Sequence, residues 1–82
     1  MMAKGRMVMK LSEARTQKLL SVRGLANAAG VAPATIYHIE HRRTTPSFRV
    51  IRDISAALEM DPLDVDEFAV VIEGTGAGKA AA

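Results

Sequence analysis

The side chains best equipped for chemistry crowd into one stretch of the chain. Tyr37, His38 and His41 fall close together, and Arg42-Arg43-Thr44-Thr45 follows directly. A phenol, two imidazoles, two guanidinium groups and two hydroxyls supply many hydrogen-bond donors, several acceptors and two permanent positive charges. That mixture suits recognition of polar edges and anions rather than bond making. His38 and His41 stand three apart and could chelate a metal, but the chain has no cysteine and no carboxylate placed to complete a ligand set. A pair of surface histidines is the simpler reading, and neither metal nor cofactor is expected. No nucleophile, base and orienting group share a usable spacing, and so small a helical core leaves little space for a buried pocket. An enzyme is therefore not expected.

The elements that must position this stretch read as helices. Val8, Leu11 and Ala14 recur at three-residue steps and predict a first helix over residues 10–18. Ser21 offers an oxygen to the open amides of a second helix, whose inner face is Leu25, Ala26 and Ala29 and whose end is Gly30. Pro33 fits the first turn of a third helix, with Ile36 and Ile39 inward and an end near His41. Residues 42–46 form a loop closed by Pro46. Ser47 then caps a fourth helix with an inner stripe of Phe48, Ile51, Ile54 and Leu58. Asp61-Pro62 opens a fifth, with Leu63, Phe68, Val71 and Ile72 on its apolar side. The run from Phe68 to Ile72 is rich in β-branched residues and would also suit a strand; helix is the expectation.

The chain has 82 residues, enough for one domain, with 49% hydrophobic residues but only 4% aromatics and no Trp. Such a core is built from Leu, Ile, Val, Met and Ala, which favours packed helices over a small sandwich. The expected layout is an arm over residues 1–7, a domain over 8–73 and a flexible tail over 74–82, where three glycines fall. The lack of cysteine excludes disulfides, and no apolar run reaches the ~20 residues that span a bilayer. The expectation is a soluble, cytoplasmic chain without a membrane segment. The formal charge of +2 hides an asymmetry. Residues 1–52 carry ten basic side chains against two acids, a net +8; residues 53–82 carry one against seven, a net −6. A basic body can face a polyanion while the acidic end is held away from it.

Residues 21–41, a short helix, then Gly30-Val31-Ala32, then another short helix, carry a specific resemblance. The Leu25-Ala26 pair, Gly30-Val31, Ile36 and Ile39 followed by Glu40, Pro46-Ser47, Arg15 and Ala56-Ala57-Leu58 resemble the XRE family, the Cro and phage-repressor type of helix-turn-helix. The match covers about residues 8–68. It implies an all-α, compact five-helix, lambda-repressor-like DNA-binding domain whose helix-turn-helix spans about residues 21–41. It also implies a structural salt bridge between Arg15 and Glu40.

By the same resemblance, Pro33, Ala34, Tyr37 and His38 occupy base-contacting positions, and Thr35 shares their outward face. Pro33 and Ala34 depart from the amide and hydroxyl side chains common there and can offer only apolar contact to thymine methyls, so direct readout is modest and DNA shape contributes. Phosphate contacts are expected from Ser21, Arg23, His41, Arg42, Arg43, Thr44, Thr45 and Arg49. Val22 stands where relatives often carry Gln, and Arg42 replaces the family's usual glycine, which predicts a differently shaped end to the third helix. The implied activity is that of a sequence-specific transcriptional regulator, a repressor, reading double-stranded DNA as a homodimer on a two-fold operator. Leu63, Phe68, Val71 and Ile72 are the dimer candidates. The alternative is a protein-interaction module, an antitoxin or a bridging factor, that keeps the fold with weak or no specific readout.

Overall fold

Backbone hydrogen-bond requirements at helix ends explain most of the architecture. A computed structural model describes residues 8–74; the expected arm and the tail from residue 75 lie outside the described residues. The elements are α1 (Leu11–Gln17), α2 (Val22–Ala29), α3 (Pro33–Glu40), α4 (Phe48–Leu58), a 3-10 turn (Pro62–Asp64) and α5 (Asp66–Gly74). Ser21 Oγ accepts the Gly24 amide at 2.9 Å and Ser47 Oγ the Val50 amide at 3.2 Å, starting α2 and α4 where hydroxyls predicted starts. Pro33 is in the first turn of α3. The run from Phe68 to Ile72 is helical, and Gly74, expected as the start of the tail, is the last residue of α5.

Four helices end in one way, with a left-handed residue whose amide and that of its successor bond back to the last turn. Gly30 (φ 73°) ends α2, but the same conformation is held by Leu19 (φ 59°) after α1, Arg42 (φ 56°) after α3 and Glu59 (φ 58°) after α4. The closing bonds are alike: Leu20 N–H to Arg15 O at 3.0 Å, Val31 to Ala26 at 3.0 Å, Arg43 to His38 at 2.8 Å and Met60 to Ser55 at 3.1 Å. The end of α3 is therefore not reshaped by the loss of glycine; Arg42 adopts the glycine conformation. An L-residue there carries a cost of order 1 kcal/mol. Leu19, with 92% of its surface exposed, gains little packing in return. Leu19→Gly and Glu59→Gly are each expected to raise stability by about 0.5–1 kcal/mol, read as a higher Tm by circular dichroism. No rise in either would show that these ends hold packing the exposures do not reveal.

The core is Leu11 and Ala14 of α1, Leu25 and Ala26 of α2, Ile36 and Ile39 of α3, Ile51, Ile54 and Leu58 of α4, Val65, and Phe68 of α5. α2 packs against both α3 and α4. Two expected core residues lie outside it. Val8 and Phe48, each the first residue of its stripe, are 48% and 56% exposed.

The start of the fifth helix also differs from expectation. Asp61 does cap, its carboxylate accepting the Leu63 amide at 2.8 Å, but the result is only a 3-10 turn. Val65 is then extended, because Met9 N–H bonds to Asp64 O at 2.9 Å and Asp66 N–H to Met9 O at 2.8 Å in a parallel bridge. α5 begins only after that bridge. Next in line, the buried carboxylate of Glu67 accepts the Leu11 amide at 2.8 Å, filling one open donor at the start of α1. The bridge and this bond fasten α5 to the beginning of the fold.

Candidate nucleic-acid interface

One guanidinium organises the outward face of α3. Arg15 Nε donates to Glu40 Oε2 at 2.7 Å and its terminal nitrogens reach Glu40 Oε1 at 3.3 Å and Leu20 O at 3.0 Å. Three points are joined: α1, the turn before α2, and the last residue of α3. Ile36 and Ile39 hold the opposite side of α3 in the core. The helix can then present only one face to solvent.

On that face Pro33, Ala34, Tyr37 and His38 are exposed, as is His41 just beyond; Thr35, expected beside them, is half-buried. The three rings form a cluster. Tyr37 and His41 stand 4.0 Å apart between centroids with a 32° tilt, and Tyr37 and His38 meet edgewise at 6.0 Å. His41 Nδ1 lies 2.9 Å from Tyr37 O. A carbonyl only accepts, so Nδ1 carries the proton in this contact, which leaves Nε2 as the ring's remaining polar atom. Both histidine rings thus lie against Tyr37, His41 on a tilted face and His38 edgewise, and no cluster of three or more metal-ligating side chains exists among the described residues.

Beyond the rings the basic loop runs into solvent, with Arg42, Arg43, Thr44 and Thr45 exposed above a buried Pro46. Arg23, near the start of α2, and Arg49, near the start of α4, are exposed as well, and Ser21 Oγ is occupied in capping. Arg42 does not point into an empty field, however. Its guanidinium pairs with the Asp66 carboxylate at the start of α5. Lys18 also stands 4.0 Å from Glu59. The charges that separate along the sequence meet in space, so the acidic end is not held away from the basic loop. Neither Asp66 nor Glu67 was legible as a partner, since each acts on a residue at least 24 positions away.

The expected dimer residues divide. Phe68 is fully buried and cannot belong to an interface without unfolding, whereas Leu63, Val71 and Ile72 are half-buried. An apolar groove of about 490 Å³ between α4, the 3-10 turn and α5 is lined by Phe48, Ile51, Met60, Pro62 and Ile72 among others.

A capped helix, a left-handed glycine elbow and a second short helix with one braced and one open face define a helix-turn-helix module. A family model described as helix-turn-helix matches residues 11–65, more than half of the chain. The chain belongs to the XRE, Cro-like helix-turn-helix family, and is a DNA-binding regulator in that general sense. No curated protein and no solved structure matches it. Among the described residues, no helix is long and apolar enough to cross a membrane.

Proposed function

We propose that this chain is a sequence-specific transcriptional regulator that acts as a repressor, by occupying its operator, and reads double-stranded DNA with α3 in the major groove. The supporting observation is the continuity of the exposed ring cluster on α3 with Arg42 and Arg43 in the turn that follows. An α-helix fits the groove, which is about 12 Å wide. Tyr37 and His38 offer hydrogen bonds to base edges; Pro33, Ala34 and the Thr35 methyl offer apolar contact. Arg23, His41, Arg42, Arg43, Thr44, Thr45 and Arg49 flank them as phosphate contacts, and Ser21 fixes the α2 end whose amides face an anion.

One eight-residue helix reads only a few base pairs, so a useful site calls for two copies, with reading helices about 34 Å apart. The homodimer surface is assigned to the groove of Phe48, Met60, Pro62 and Ile72, with Leu63 next to Pro62 in the adjoining turn, Phe68 withdrawn and Val71 lining the cleft beside Arg42 instead. Phe48→Asp is expected to leave the fold stable to within about 1 kcal/mol, because the ring is mostly exposed, and to turn a dimer into a monomer in sedimentation. A wild-type monomer at micromolar concentration, even on DNA, would reject the dimer.

The apolar pair Pro33 and Ala34 favours a second reading, a protein-interaction module with little base readout. Selection from a random duplex library, with affinity followed against salt, separates the two. A two-fold enriched site whose affinity falls steeply with salt supports the regulator. Absence of binding at low salt would reject it in favour of the interaction module.

A further inference from the structure

We infer that Asp66 is a built-in competitor for the DNA backbone, holding the Arg42 guanidinium that the reading helix would otherwise give to a phosphate. The inference rests on the DNA-binding reading above and identifies a residue that sets the affinity of that site. Arg42 is the second residue after α3 and Asp66 opens α5, 24 residues later, yet the two side chains form an ion pair. The pair is easily opened: 49% of one side chain and 42% of the other remain exposed, so water screens the attraction. Beside it lies a cleft of about 210 Å³ between Arg42, Arg43, Thr44 and Thr45 of the loop and Glu67, Val70 and Val71 of α5. That space allows the guanidinium to leave Asp66 without repacking the core. The neighbouring Glu67 cannot take the same part, because its carboxylate is buried and engaged by the Leu11 amide.

Two effects then oppose binding at one point. Arg42 must exchange a carboxylate for a phosphate, which are similar anions, so the gain is smaller than for a cation taken from water. Once released, Asp66 stands near the backbone as an uncompensated negative charge. DNA affinity is accordingly held below what the basic loop alone would give, and any event that draws the start of α5 away from the loop raises it.

The test measures binding of a plain B-form duplex by the full chain, as wild type, Asp66→Asn and Glu73→Gln, each with and without Arg42→Ala, over a range of salt. Glu73 is exposed near the other end of α5 and reports the same charge change away from the loop. Asp66→Asn is expected to tighten binding roughly threefold to tenfold near 0.1 M salt and to steepen the plot of log affinity against log salt by about one. Glu73→Gln should change binding less than twofold. With Arg42→Ala, most of the Asp66→Asn gain should vanish. An equal gain with and without Arg42, or no gain, overturns the competition while leaving DNA binding intact. Failure of every variant to bind at low salt overturns both readings.

Discussion

Arg15→Ala is expected to remove about 3 kcal/mol of stability, between about a quarter and three quarters of what the chain holds. The Arg15 side chain is 18% exposed and that of Glu40 8%, so the pair lies largely out of water. Removing one partner of a buried pair costs about 3–5 kcal/mol because the other charge stays behind; partial exposure places this pair near the lower limit. The Leu20 carbonyl also loses its donor. At roughly 0.05–0.15 kcal/mol per residue, a chain of this length holds only about 4–12 kcal/mol in total. Lysine is not expected to rescue it, since an ammonium cannot serve both Glu40 oxygens and Leu20 O as a planar fork does. Urea unfolding followed by circular dichroism measures the loss. The paired change Arg15→Met with Glu40→Leu should recover most of it, because no buried charge is then left alone. A loss below about 1 kcal/mol in Arg15→Ala would mean that water screens this pair like any surface one.

How much of this was legible in the sequence follows from the range of each interaction. Ser21, Gly30, Pro33 and Ser47 act within three or four residues of themselves, and the helix ends they predict are where the chain has them. Ile36 and Ile39 were legible because α3 is short and its apolar positions few. Helical periodicity overreached at the edges of two stripes: Val8, which precedes α1, and Phe48, the first residue of α4, have the right spacing but stay about half exposed. Three left-handed ends went unseen because Leu19, Arg42 and Glu59 carry no local mark of that conformation. The delayed start of α5 depends on a bridge between Met9 and Val65, and no local cap signal can report a contact over 56 residues. In the candidate site the same rule separates Arg42-Arg43, conspicuous as a doublet, from Asp66, which looked like part of a solvated acidic end. Phe68 looked available for a partner because an apolar face does not say which of its members the chain itself will bury.

Arg42→Ala with Arg43→Ala carries the largest expected effect on function, weakening DNA binding by roughly tenfold to thirtyfold at about 0.05–0.1 M salt, most of it from Arg43 because Asp66 already holds Arg42. Each cation that neutralises a phosphate releases close to one counterion; Arg43 counts in full but Arg42 is already neutralised by Asp66, so the slope of log affinity against log salt should flatten by about one. The loss should be nearly uniform across sequences, because a phosphate contact carries no base information. Tyr37→Ala or His38→Ala should behave differently, changing which duplex is preferred more than how tightly an arbitrary one is held. Stability is expected to change little. Both arginines are exposed, alanine at position 42 carries the same left-handed strain, and the lost Asp66 pair is a surface one. A Tm within a few degrees of wild type, beside a tenfold or greater loss of binding, would place the effect at the interface rather than in the fold. The salt slope decides what the arginines do: a double variant that binds as tightly as wild type, with an unchanged slope, would show that neither touches a phosphate. The grip would then have to come from Arg23 and Arg49, which stand exposed near the starts of α2 and α4, and α3 would lie differently in the groove.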